Sequence, residues 1–422
     1  MLALIRWLAL ALGSGCLLVP AAAVARSAEP PVIVAIEFSG NEVTRESTMR
    51  REMLIAEGDR ADPAVIERSR QAIQDLGLFR SVEAETEIRP GGAVLRITVV
   101  EKWYVLPIPR VEANSDEEYG LGMQLRWSNV WGLNHSLDLL WVERDLEERD
   151  RDEETAYGIG YSAPLVAGSP YSVSLGASQS RSPIDEDGVL YQERRTQVLA
   201  LVTRNIAAGP ASQGWQLGGG LQWFGQNTAG AQAPPRDGNA TALNLRARYR
   251  DVRFNVYSET GRAYAMQLTA STPDVLSDYG FTRTVAWYEQ GWRIGDTPHQ
   301  TASLRAELGS YHGGVYDNRE FSVGGASVLR GYDSDFREGD LAYRVVGELL
   351  RPLHWDWLRG LLLVEIGNAF EHPNDFEIDS TLVSVGIGLR LRLTWFVNVE
   401  VEIGVARGLT GGGKTRVFAG GA

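Results

Sequence analysis

Four stretches of the chain carry residues whose types and spacing could do chemistry. Gly408-Leu409-Thr410-Gly411-Gly412-Gly413-Lys414-Thr415 satisfies the glycine-rich phosphate-loop pattern. That pattern works only when a helix follows, so that its first N–H groups can cradle phosphate. Seven residues follow here and they read as a strand, so no nucleotide is expected and the segment is read as a flexible hairpin. The run from Glu143 to Glu154 is dense in carboxylates, but it lacks the glycine-punctuated spacing of a calcium loop and reads as a solvated loop. The five histidines, His135, His299, His312, His354 and His372, fall in turns or loops without metal-helix spacing, so neither metal nor cofactor is expected. No histidine–serine pair is evident at the outer wall, and no enzyme activity is expected. The fourth stretch is Phe321-Ser322-Val323-Gly324-Gly325-Ala326-Ser327-Val328-Leu329-Arg330-Gly331-Tyr332. It offers one guanidinium, which can bind carboxylates bidentately, and Glu348 and Glu365 stand downstream.

The elements that must position these residues read as strands from Trp103 onward. Val383, Val385, Ile387, Leu389 and Leu391 alternate with Ser384, Gly386, Gly388, Arg390 and Arg392. The next segment alternates Val397, Val399, Val401, Ile403 and Val405 with Asn398, Glu400, Glu402 and Gly404. Similar period-two runs cover Tyr171 to Ser178 and Leu243 to Arg250. A soluble sandwich also alternates, so three further features decide the matter. The polar face carries both signs of charge (Arg305, Glu307, Arg390, Glu400), as a hydrated lumen does. Tryptophans recur near strand ends, among them Trp127, Trp131, Trp141, Trp215, Trp223, Trp287, Trp292, Trp355, Trp357 and Trp395, where interface girdles belong. Short turns at 130–134, 165–170 and 393–395 are interleaved with longer polar loops at 144–154, 182–188, 225–239, 312–340 and 371–380. The expectation is an all-β transmembrane barrel of about 16 antiparallel strands over residues 103–422. Its outward face would meet outer-membrane lipid.

Ahead of it, residues 32–101 read differently. Val32 to Phe38 is a strand. Thr44 could cap a helix burying Met49, Met53 and Ala56, with Gly58 as its stop. Asp62-Pro63 opens a second helix whose Ile66, Ile73 and Leu76 share a face, ended by Gly77. Phe79 to Arg89 and Ala93 to Glu101 form two strands around Pro90-Gly91-Gly92. This is a small α+β domain. Residues 1–25 read as a signal peptide: Arg6, an apolar stretch, then Ala23-Val24-Ala25 as a cleavage site. Cleavage there removes Cys16, the single cysteine, and with it any disulfide or thiolate chemistry. The net charge of −13 argues against a nucleic-acid partner. Mean hydropathy of −0.17 is compatible with a β-barrel, because only alternate residues face lipid.

Ile36-x-Phe38-x-Gly40-Asn41, Gly58-Asp59 and Leu76-Gly77-Leu78-Phe79-Arg80-Ser81-Val82 resemble a polypeptide-transport-associated (POTRA) domain. Together with the loop run Val328-Leu329-Arg330-Gly331-Tyr332, the mature chain resembles the BamA/TamA superfamily of outer-membrane barrels. The resemblance implies that this sixth outer loop folds into the lumen and lays Arg330 against Glu348 and Glu365, the latter standing where aspartate is commoner in the family. Parity points the same way. Glu348 shares a face with Arg344, opposite Tyr343, Val345 and Leu349, and Glu365 shares one with Gly367, opposite Leu362, Val364 and Ile366. The resemblance also implies a periplasmic N-terminal domain and a barrel that helps insert or translocate unfolded or secreted client polypeptides, through that domain and the first barrel strand. The rival expectations are a passive pore, a structural or lipid-homeostasis protein, and an exporter of one secreted partner. A short glycine-rich last strand, where a terminal aromatic is usual, is expected to pair weakly.

Overall fold

The computed structural model describes residues 29–113, 119–145, 153–186, 189–230, 233, 237–314, 320–325 and 328–421. The expected signal peptide and the centre of the acidic run lie outside the described residues.

The N-terminal domain is built from β1 (Ile33–Ser39), α1 (Glu46–Arg50), α2 (Pro63–Gln74), β2 (Phe79–Arg89) and β3 (Gly92–Glu101). The sheet order is β1-β3-β2, with β1 parallel to β3. Helix α2 starts as its sequence dictates: the Asp62 carboxylate accepts the Ala64 N–H at 2.8 Å, and Pro63 occupies the first turn, where no N–H is needed. Ile66 and Ile73 then enter a core with Ile36, Met49, Phe79 and Leu95. Helix α1 departs from expectation in two ways. Thr44 does not cap it; its hydroxyl instead bonds the Tyr104 hydroxyl and the Asn129 amide. The helix also ends at Arg50, because the Leu54 N–H is taken by the Ser69 hydroxyl at 2.9 Å rather than by a helical carbonyl.

The barrel is one 16-stranded antiparallel sheet. Its first half runs β4 (Val105–Ala113), β5 (Tyr119–Val130), β6 (His135–Asp145), β7 (Glu153–Ala163), β8 (Tyr171–Glu186), β9 (Val189–Ala207), β10 (Gly214–Ala229) and β11 (Gly238–Phe254). The second half is β12 (Glu259–Ser271), β13 (Phe281–Arg293), β14 (Thr301–Gly313), β17 (Leu341–Pro352), β18 (Leu358–Phe370), β19 (Leu382–Arg392), β20 (Glu400–Gly408) and β21 (Thr415–Gly421). Strands β15 (Phe321–Val323) and β16 (Arg337–Gly339) form a small separate hairpin within the long connection between β14 and β17.

Alternation sorts the side chains as the sequence suggested. Ile387 is 64% exposed on the outer wall while Ser384 and Arg390 of the same strand are buried inside. Leu121, Ile159, Leu221, Leu243, Leu362 and Ile403 are likewise exposed around the outside. A continuous apolar surface of this size would drive aggregation in water and is the surface a lipid bilayer covers. Tyr249, Tyr264 and Tyr288 stack across adjacent strands on that outer face beside Trp215, forming part of an aromatic girdle. Two expectations of the alternation are corrected. Strand β20 starts only at Glu400, and Val397 before it packs into the N-terminal domain's core. Trp287 is not a girdle residue; its register with Ala265 and Arg248 turns it to the lumen, where the Arg248 guanidinium lies 5.8 Å from its ring.

Candidate functional site

The described parts of the connection between β14 and β17, residues 320–325 and 328–340, fold into the lumen rather than away from it. Val323, Leu329 and Tyr332 are buried with Ala342, Ala369 and Leu382 of the barrel wall, and Phe321 and Phe336 pack on the same cluster. This apolar anchor sets the loop at the level of β17–β20. Gly331 gives the close approach: its φ is +93°, and a Cβ there would stand 2.4 Å from the Gly408 backbone nitrogen. Its carbonyl accepts the Lys414 N–H at 2.9 Å. The Tyr332 hydroxyl is 2.8 Å from the Val383 carbonyl oxygen and 2.9 Å from that of Thr410, donating between the two.

The phosphate-loop-like segment is therefore not a free hairpin. Strand β21, not a helix, follows it, and its backbone is bonded to the inserted loop. Its glycines serve tight turning and close contact.

Val328 precedes the buried Leu329 at the head of this turn. Arg330 then reaches the wall. Its Nη1 donates to Glu365 Oε1 at 2.7 Å, and its own backbone N–H donates to Glu365 Oε2 at 2.6 Å. Its Nη2 donates to Glu402, and its guanidinium carbon sits 4.8 Å from the Phe418 ring centroid. Glu348 is on the same wall but is not a direct partner of Arg330. It is held bidentately by Arg390, at 2.7 and 3.0 Å, and Arg390 also donates to Glu402 at 2.8 Å. Arg344 approaches Glu365 at 3.7 Å from the other side. The result is one chain of alternating charge, Arg344–Glu365–Arg330–Glu402–Arg390–Glu348, whose six charges sum to zero.

Glu365 is fully buried and Arg330 is 6% exposed. At that depth an unpaired charge would be costly, so the network holds only because each member has a partner of opposite sign. The residues missed from sequence were Glu402 and Arg390 as the links of this chain. Their pairing was hidden because the connection between β19 and β20 runs over residues 393–399 rather than the expected 393–395, which shifts the register that sets Arg390 opposite Glu402.

A second constellation joins the N-terminal domain to the barrel. Four of the turns at that end receive it. Thr48 donates to the Gly132 carbonyl at 2.8 Å, Glu52 accepts the Ser212 N–H at 2.9 Å, Asp75 accepts the Phe254 N–H at 2.8 Å, and the Trp103 N–H donates to Trp395 O at 2.7 Å. These turns belong to well-separated strands, so the domain spans the barrel mouth. Burial pushes the Asp75 and Glu52 carboxyls above the usual carboxylate range, against the hydrogen bonds that stabilise their charge. Lys102, buried below the Phe254 ring and donating to the Gly77 carbonyl at 2.8 Å, is pushed down to about 7 by the same desolvation.

Residues 31–102 match the family described as POTRA, surface antigen variable number repeat. The fold as a whole is similar to several solved structures. CdiB from Escherichia coli superposes with a TM-score of 0.63 at 14% identity, covering 92% of this chain and 75% of that one. CdiB from Acinetobacter baumannii gives 0.61 at 14% identity, covering 92% and 73%. BamA from Haemophilus ducreyi lacking POTRA domains 1–3 gives 0.54 at 14% identity, covering 93% and 84%. None of the curated proteins is detectably similar in sequence. The chain thus joins a domain that matches the POTRA family to a 16-stranded barrel whose fold is similar to that of these solved structures.

Proposed function

We propose that this barrel sits in the outer membrane with its POTRA domain in the periplasm, and that it assists the insertion or translocation of client polypeptides. The observation that carries this reading is the state of the sheet's two terminal strands. Strand order runs from β21 to β4, and among the described residues no ladder joins them. The outer edge of β4 therefore presents backbone N–H and C=O groups that a client strand could pair with. Strand β1 lies at the outside of the POTRA sheet with Val34 exposed, though its backbone edge is taken up by residues 58–61, Glu57 and Arg50. A client met by the POTRA domain and paired at the β4 edge supplies free energy through its own strand pairing, so no nucleotide is needed.

The test is client capture in intact cells. A photo-crosslinking residue at Ile108 in β4, and another at Val34 in β1, should each yield adducts with polypeptide. A barrel that traps no polypeptide at either position, while the purified protein conducts ions steadily, is a passive pore and the proposal fails.

A further inference from the structure

The lumenal wall is not uniform. On β5, β14, β17, β18 and β19, Arg126, Arg305, Arg344, Arg359, Arg390 and Arg392 each have a carboxylate oxygen within 4.0 Å. Strand β11 breaks the pattern. Arg246, Arg248 and Arg250 share a face with Asn244, whose amide donates to Gln222 at 3.0 Å. Gln222 lines a lumenal cavity of about 360 Å³ together with Gln124, Asp138 and Gln197. The opposite face of β11 carries the exposed Leu243 and Leu245. The three arginines therefore run from the edge of that cavity towards the POTRA end, along the inside.

Among the described residues none of the three forms an ion pair. Their cross-strand neighbours are Gly214, Gln216 and Gly218 on β10, and Ala263, Ala265 and Gln267 on β12, with no carboxylate among them. Glu289, opposite Ala263, is held by Arg305 at 3.4 Å, and Arg250 lies within electrostatic reach of Glu259 and Asp75 without an ion pair to either. The Nε of Arg248 is buried without a hydrogen-bond partner. Alternate residues of a strand stand roughly 7 Å apart, so the ladder places three guanidinium groups over about 14 Å. Three like charges in a row on a partly desolvated wall repel one another, and the small residues beside them leave their forks open.

We infer that the β11 ladder is a binding site for a phosphate-bearing polyanion that enters the lumen and supplies the counter-charge the wall lacks. The surface offers hydrogen-bond donors in excess: three guanidinium forks flanked by the Gln216 and Gln267 amides. A phosphoryl group is their complement, with several acceptor oxygens and more charge per group than a carboxylate. A chain of such groups can bridge successive forks.

The probe is inorganic tripolyphosphate, titrated into the full-length protein in detergent and followed by tryptophan fluorescence, since Trp287 lies against Arg248, and by thermal unfolding. Saturable binding is expected. Each single change, Arg246→Gln, Arg248→Gln or Arg250→Gln, should weaken it about tenfold, because a hydrogen bond to a charged group is worth roughly that factor or more. The triple change should abolish it, and the single variants decide the matter if the triple variant does not fold. A titration with phosphatidic acid in the micelle distinguishes a lipid headgroup from a soluble anion; dependence of either on the three arginines supports the site. Three results overturn it: unchanged binding in the variants, the same response from sodium chloride at matched ionic strength, or equal affinity for polyglutamate. A ligand-free Arg248→Gln protein should melt at least as high as the parent at low salt. Melting well below it would make the ladder structural and would also overturn the assignment.

Discussion

Replacing Arg330 by alanine should free the inserted loop while leaving the barrel assembled. The change removes the guanidinium bonds to Glu365 and Glu402. Glu402 keeps Arg390, but Glu365, fully buried, is left with its bond from the backbone N–H of residue 330 and with Arg344 at 3.7 Å. Breaking one partner from a buried ion pair costs about 3–5 kcal/mol, because the remaining charge is uncompensated. At about 1.4 kcal/mol per tenfold, the undocked population of the loop rises roughly a hundred- to several-thousand-fold. Limited proteolysis within residues 328–340, read by mass spectrometry, tracks that population when opening is fast relative to cleavage. Heat-modifiable migration on gels reports the assembled barrel separately. The double change Arg330→Met with Glu365→Gln tests the cause, since it removes both charges and keeps an acceptor for the backbone N–H. It should recover most of the protection, as replacing a buried pair is far cheaper than orphaning one member. Parent-like protection in Arg330→Ala, or no recovery in the double variant, refutes the reasoning.

Two further predictions concern backbone and pH. Gly331→Ala should also undock the loop, by about 1–3 kcal/mol or more, because its +93° φ and the 2.4 Å approach to Gly408 leave no place for a methyl group; the same proteolysis assay checks it. Lys102 is held near 7 by burial while its ordinary value is 10.5. On unfolding it takes up a proton anywhere between those values, so the contribution is favourable above about pH 10.5 and is lost as pH falls towards 7. Docking of the POTRA domain, followed by thermal unfolding between those pH values, should strengthen as pH rises, and Lys102→Met should flatten the dependence.

Much of the fold was legible because a barrel wall writes its two environments into alternate residues. Strand β19 shows this clearly: lipid selects Val385, Ile387 and Leu389, while the lumen takes Ser384, Arg390 and Arg392. Asp62-Pro63 was equally legible, since both its residues act within one turn of backbone. What alternation leaves out is which inward residue meets which. Glu348 and Glu365 both point inward, yet Arg330 takes Glu365 and Glu402, because the loop's depth is set by apolar contacts of Leu329 and Tyr332 rather than by charge. The roles of Thr44, Glu52 and Asp75 were hidden for a related reason. Each bonds a barrel residue 85 to 179 positions away, and no local pattern encodes such a partner.

The inserted loop and the end of the sheet behave as one mechanical unit. Gly331 is bonded to Lys414, Tyr332 to Thr410, Asp333 to Arg416, and Arg330 covers Phe418. Every one of these contacts lies on β21 or on the turn that leads into it. Strand β21 pairs with β20 through only seven residue pairs, and its far edge has no ladder to β4 among the described residues. A short, glycine-containing strand with one partner would be the weakest strand of the wall were it left to its ladder alone. The loop supplies a second set of bonds from the lumen side. Movement of β21 away from the wall must therefore either break its contacts with residues 330–333 or carry the loop with it, which breaks the Arg330 pairs with Glu365 and Glu402. On this geometry the proteolytic exposure of residues 328–340 and the mobility of β21 should rise together in Arg330→Ala. A loop that is released while β21 stays as rigid as in the parent would separate the two and leave the ladder to β20 sufficient on its own.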